Sequence, residues 1–169
     1  MNFLNTEQTT WRETVDRFME KEITREYIRE HDAERAYPYS AYERIAAEGW
    51  LRLLIPEEFG GFGGDIFDYA LMCEGLGKFG FDFATTVLVP TFTAMNIVKF
   101  GNDDQKAAYL EPFMSGKMRF SISISEPSAG SDAASTKTRA RLDKDHYIVK
   151  GQKLCCSGAA ARDVVIAML

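Results

Sequence analysis

The spacing of apolar residues changes once along this 169-residue chain, at Gly116. Before it they recur every three to four residues; after it they alternate. A helix buries a stripe of period 3.6 and a strand a face of period two, so the two patterns call for different elements. The pattern predicts an α + β chain: an all-helical N-terminal part followed by antiparallel β structure. Hydrophobic residues make up 46% of the chain, with 12 Phe, which suits a sizeable core and not a disordered segment.

In the helical part, Trp11, Val15, Phe18 and Met19 share a face, with Asn5 or Thr6 as the cap. A second helix is expected over residues 24–31. Pro38 breaks the chain, Ser40 caps a helix over 42–49, and Gly49 stops it. Residues 51–55 form a short apolar run ahead of Pro56. Phe59-Gly60-Gly61-Phe62-Gly63-Gly64 has four glycines in six residues and reads as a loop with unusual backbone angles. Asp65 caps a helix carrying Tyr69, Met72, Cys73 and Leu76, weakened by Gly75, Gly77 and Gly80. Residues 83–100 read as a buried helix with Pro90 near its middle or at a kink. Asn102 or Asp103 caps a last helix to Met114. Trp11, Phe18 and Trp50 are expected in the core rather than against a cofactor.

Beyond Gly116, residues 119–124 alternate Phe120, Ile122 and Ile124 with Ser121 and Ser123. Further strands are expected at 136–142, 147–149, 154–156 and 164–169, with Asp143-Lys144-Asp145 as a hairpin turn. The final apolar strand ends without a polar cap, and a bare strand edge wants a cover. The expectation is a truncated chain.

Charge follows the same division. Through Met118 there are 12 Lys/Arg against 20 Asp/Glu; from Arg119 onward, 8 against 5. A domain change is expected there, giving 1–118 and 119–169. The overall charge of −5 disfavours a nucleic-acid partner, which needs a basic footprint. The basic second part reads either as a segment facing an anionic ligand or as an ordinary basic strand surface. Cys73, Cys155 and Cys156 form no disulfide framework and no C-x-x-C pattern, which points to the reducing cytoplasm. The vicinal pair reads as small buried hydrophobes without a redox role. Met1–Thr10 lacks the plan of a signal peptide. Residues 84–98 are polar-interrupted and short for a membrane span, so no integral membrane segment is expected. His31 and His146 have no zinc spacing, and no metal is expected. His31 is expected to face solvent. Ser131 has no nucleophile-elbow frame, and no phosphate-binding Walker loop is present.

The segment richest in chemistry is Ser125-Glu126-Pro127-Ser128-Ala129-Gly130-Ser131-Asp132. Small residues leave backbone N–H groups unshielded, and successive N–H groups with hydroxyls can cradle a phosphate or pyrophosphate. A plain surface turn has the same composition.

This segment is similar to the T-E-P-x-A-G-S-D signature of acyl-CoA dehydrogenases, with Ser125 in place of Thr. Ile55-Pro56-Glu57-Glu58-Phe59-Gly60-Gly61 resembles the family's P-E-E-x-G-G loop. Gly101-Asn102-Asp103-Asp104-Gln105-Lys106 with Tyr109-Leu110 and Gly116 resembles its G-x-x-x-Q-K…Y-L…G stretch. Val149-Lys150-Gly151-Gln152-Lys153 resembles its V-x-G-x-K hairpin. The matches run in order over nearly the whole chain.

The resemblance implies a helical domain followed by the start of an antiparallel β-barrel-like, flavin-binding domain, with the family's C-terminal four-helix bundle absent. It implies FAD, an acyl-CoA substrate, an electron-transferring flavoprotein as electron acceptor, and a homo-oligomer (tetramer or dimer) at full length. In the family a carboxylate removes the α-proton and the β-hydrogen leaves as hydride to flavin N5. That carboxylate lies in the C-terminal bundle, so no catalytic residue is expected here. Glu57, Glu58 and Glu126 read as loop or structural carboxylates. By motif position, Ile122, Ser123, Ile124 and Ser125 would line the flavin, with Ser125 as a donor to its pyrimidine edge. Gly130 and Ser131 would lie by the pyrophosphate, Ser131 also by the acyl-CoA. Cys155, Cys156 and Ser157 fall where the family has an aromatic, an aliphatic and a Thr; Ser157 would bond the flavin near N5 and O4. Cys155 leaves room where an aromatic normally packs, and Gly158-Ala159-Ala160 departs modestly from the usual run. Alone, the chain is expected to bind FAD poorly and to be inactive.

Two alternatives stand beside this reading. Leu53-Leu54-Ile55-Pro56-Glu57-Glu58 resembles the crotonobetainyl-CoA reductase branch, which implies an enoyl-CoA reductase. A complete, non-catalytic partner subunit is the other.

Overall fold

The computed structural model describes residues 4–169; the first three residues of the Met1–Thr10 start lie outside the described residues. Six helices come first: α1 (Thr6–Glu22), α2 (Arg25–Glu34), α3 (Tyr39–Ala47), α4 (Ile66–Gly77), α5 (Phe81–Phe100) and α6 (Asp103–Met114). Four strands follow: β1 (Phe120–Ser123), β2 (Arg139–Asp143), β3 (His146–Lys150) and β4 (Val164–Ala167).

Helix starts follow local chemistry. Asn5, Asp65 and Asn102 each close a capping box, in which side chain and backbone at the two ends of the first turn bond reciprocally. Ser40 does not cap α3. The helix begins at Tyr39 behind Pro38, and the Ser40 hydroxyl instead bonds the Tyr27 hydroxyl at 2.8 Å. His31, expected to face solvent, is half-buried: its ring lies 4.0 Å from the Tyr27 ring and its Nδ1 meets the Tyr27 carbonyl at 2.8 Å. The glycine-rich loop needs its glycines, since Gly60 and Gly63 are left-handed and a Cβ at Gly61 would meet the Ile55 carbonyl.

The helices enclose one core, centred on Val15, Met19, Ile45, Met72, Leu76, Val87 and Phe113. Trp50 is buried in it, with Trp11 and Phe18 packed edgewise or tilted on its ring. Helix α5 is 20 residues long, starting two residues before the helix expected over 83–100. By length and composition it could cross a membrane, yet 44% of that stretch is buried inside the fold against its neighbours. Pro90 does not interrupt it.

β1 is fused to the helical core. Phe120 is fully buried and stacks on Phe113 at 5.2 Å. Both faces of β1 are buried, serines included. The strands form two pairs, with no closed barrel among the described residues. β2 and β3 make an antiparallel hairpin, turning through Lys144 in a left-handed conformation. β1 and β4 pair in parallel, Phe120 opposite Val164 and Ile122 opposite Ile166, where antiparallel pairing throughout was expected. Parallel neighbours need a crossover, and residues 124–163 supply it.

One expected strand shifts and another does not form. β2 starts at Arg139 because the Lys137 and Thr138 N–H groups donate to the Glu126 carboxylate and not to a neighbouring strand. Residues 154–156 form no strand: Cys155 is left-handed, which a strand does not allow.

Candidate flavin-facing site

Two stretches far apart in sequence meet here: the end of β1 with its following loop, and residues 153–157. Five contacts join them. The Ser121 hydroxyl donates to the Ser157 carbonyl at 2.6 Å, and Cys156 Sγ lies 3.3 Å from the same hydroxyl. Cys156 Sγ also approaches the Ile122 carbonyl at 3.6 Å. The Leu154 N–H donates to the Ser125 carbonyl at 2.8 Å. Lys153 Nζ donates to the Ile124 carbonyl at 3.0 Å.

Beneath the loop sits a carboxylate clamp. Glu126 is 7% exposed. It accepts from the Thr138 hydroxyl, from the Lys137 N–H at 2.6 Å, from Lys153 Nζ at 2.9 Å and from the Thr138 N–H. The Thr138 hydroxyl, then the Lys137 N–H and Lys153, pull its carboxyl from the ordinary 4.5 down to about 2. Gly151 lets the hairpin pass: a Cβ there would lie 2.1 Å from the Thr138 hydroxyl. The sequence placed Glu126 as a structural carboxylate. Its partners Thr138 and Lys153 were missed, and only the V-x-G-x-K resemblance pointed toward Lys153.

The nine residues expected at the site divide by depth. Ile122 and Ser123 are buried in β1 and act as its floor. Ile124 and Ser125 are half-buried at its rim, as is Cys156. Gly130, Ser131, Cys155 and Ser157 are exposed, and a Cβ on Gly130 would meet nothing within 4 Å. Among the described residues, the Ser125 N–H and the hydroxyls of Ser125 and Ser157 have no protein partner. The rim of β1 thus keeps unpaired donors beside a buried strand, and such donors suit the polar edge of a flavin ring. Cys155 is not the small buried hydrophobe the sequence suggested; its left-handed backbone turns it outward. Cys73 is half-buried, and burial pushes its thiol up to about 11. Ser157 also borders a cleft of about 520 Å³ between α2, the start of α5 and residues 157–162.

The basic excess of the second part is used in two ways. Arg139, Arg141, Lys144 and Lys150 are exposed on the hairpin. Arg119 and Arg162 turn back toward the helices, stacking over Tyr39 at 4.9 Å and Tyr37 at 4.5 Å.

Residues 5–117 match the family model of the acyl-CoA dehydrogenase N-terminal domain, and residues 121–169 that of the middle domain. The chain belongs to the acyl-CoA dehydrogenase family. It is 36% identical to a probable acyl-CoA dehydrogenase, YngJ, of Bacillus subtilis, over 98% of this chain and 44% of that protein. It is 30% identical to an acryloyl-CoA reductase (NADH) of Anaerotignum propionicum, over 96% of this chain and 42% of that protein. Among solved structures, an acyl-CoA dehydrogenase of Bacillus anthracis complexed with FAD matches with a TM-score of 0.84 and 31% identity, over 98% of this chain and 29% of that one. The chain therefore spans less than half the length of these acyl-CoA dehydrogenase relatives.

Proposed function

We propose that this chain supplies the helical domain and one wall of the flavin site in an FAD-dependent acyl-CoA dehydrogenase. The observation that carries the reading is the meeting of residues 121–125 with 153–157, which leaves the Ser125 N–H and the hydroxyls of Ser125 and Ser157 without a protein partner among the described residues. Family membership supports FAD as the occupant and an acyl-CoA as the substrate.

In this reading the Ser125 N–H and hydroxyl donate to the pyrimidine edge of the ring. Ser157 donates near N5 and O4. Gly130 and Ser131 keep the backbone low beside the pyrophosphate, and Ser131 also meets the acyl-CoA. Ile122 and Ser123 keep the floor dry. Donors at that edge favour the charge that builds on reduction. The bound cofactor's chemistry is acceptance of hydride from the acyl β-carbon. An electron-transferring flavoprotein would be the electron acceptor, and a carboxylate outside these residues would take the α-proton. The working protein is a cytoplasmic homo-oligomer, with residues 1–118 and 119–169 as its first two domains. An enoyl-CoA reductase is the second reading, supported by the identity to the acryloyl-CoA reductase.

Ser157→Val tests the site in the protein at its native length. Loss of one donor at the ring should weaken flavin binding or slow flavin reduction by roughly tenfold or more. Unchanged flavin content and reduction rate would remove Ser157 from the site.

A further inference from the structure

The turn that carries Ser157 is held from the helical side by a chain of contacts that the flavin reading does not use. Pro90 has no N–H, so inside α5 it leaves the carbonyl four residues earlier, on Thr86, without its helical donor. The Tyr37 hydroxyl donates to that carbonyl at 3.3 Å. The same hydroxyl accepts from Arg162 Nη1 at 2.6 Å, while the guanidinium stacks on the Tyr37 ring. Arg162 then reaches back over its own turn. Gly158 is left-handed, and a Cβ there would lie 2.8 Å from Arg162 Nε. The turn closes with the Ala161 N–H on the Gly158 carbonyl at 2.9 Å. On its far side the Ser121 hydroxyl holds the Ser157 carbonyl. Ser157 is thus fixed from both ends, by β1 and by α5.

The composition of this seam argues for orientation over adhesion. Tyr42 Oη, Arg119 Nε and Arg162 Nε are buried without a protein partner among the described residues. Buried polar atoms left unpaired cost stability, and apolar side chains of similar volume would hold two layers together at least as well. What a forked guanidinium on a tyrosine adds is a fixed direction.

We infer that Tyr37 and Arg162 are positioning residues, which aim the Ser157 hydroxyl at the flavin by tying its turn to the carbonyl that Pro90 frees in α5. The inference rests on the flavin site proposed above. In this inference both residues act through the turn that carries Ser157.

The test uses the protein at native length, reduced anaerobically by a saturating acyl-CoA, with flavin content, flavin absorption maxima and thermal midpoint measured alongside. Tyr37→Phe keeps the ring and removes the hydroxyl that both accepts and donates. It should keep its flavin and its midpoint while its reduction rate falls by roughly tenfold and its absorption maxima shift, the result of a donor misplaced by a fraction of an ångström. Arg162→Gln should behave alike, and Arg162→Lys should recover part of the rate by returning a cation to the Tyr37 hydroxyl. Unchanged rate and maxima in Tyr37→Phe overturn the inference. So does a fall in rate matched by loss of folded protein or flavin, which is the signature of adhesion alone. A wild-type protein that binds no flavin, or whose flavin no acyl-CoA or enoyl-CoA affects, overturns the site itself and the inference with it.

Discussion

Glu126 shows how much one carboxylate does in this fold. It gathers two backbone N–H groups, a hydroxyl and an ammonium from two separate stretches, and so fixes its own loop, the start of β2 and Lys153 together. Its folded carboxyl titrates well below its unfolded one, at about 2 against 4.5. Its contribution to stability is therefore fully present above the unfolded value and is lost as pH falls through that value toward the folded one. In urea titrations at neutral pH, Glu126→Gln should unfold at lower denaturant than the wild type. The gap should narrow steadily below the ordinary carboxylate range; a gap independent of pH would remove the charge from the account. The signature loop was legible from its residue types, and Glu126 was legible as structural. The clamp was not, because its partners lie 11 to 27 residues away, a separation that no local pattern encodes. Cys155 was misread for a related reason: its outward turn comes from a left-handed backbone that a cysteine does not announce.

Elements were legible where local chemistry decides them. Asn5, Asp65 and Asn102 announced their helices, and each helix begins where its cap stands. Gly75 was legible only as a weakness in α4. The structure gives it a purpose: a Cβ there would lie 2.4 Å from Val15 Cγ1, so the glycine lets α1 and α4 approach closely. Gly75→Ala gains helix propensity of about 1 kcal/mol but overpacks the contact, at a cost of about 1–3 kcal/mol. The variant should be less stable, and Val15→Ala in the same chain should recover part of the loss. Additive effects in the double-mutant cycle would contradict the contact, since touching residues couple. The parallel pairing of β1 with β4 was not legible, because alternation reveals that a strand exists and not which way its neighbour runs.

At the scale of the molecule, the helical and β parts share a boundary in sequence but not in packing. The last helix ends at Met114 and the first strand starts at Phe120, yet Phe120 is buried on Phe113 with Val164 and Ile166 packed against the same core. Arg119 and Arg162 add two stacked contacts across the seam. The helical domain thereby backs both β1 and the turn that carries Ser157. The two-part plan and the family resemblance were legible in the sequence; the seam was not, since its arginines and tyrosines look like ordinary surface residues until the fold brings them together. The central claim is that the proposed site holds a flavin that an acyl-CoA can reduce. The most direct measurement is anaerobic: the protein is purified at its native length, its flavin content is measured, and the flavin absorbance is followed as acyl-CoA is added. About one FAD per chain, bleached by the thioester, is the result the account predicts. A protein that folds without flavin, or whose flavin neither acyl-CoA bleaches nor enoyl-CoA reoxidises, would contradict it.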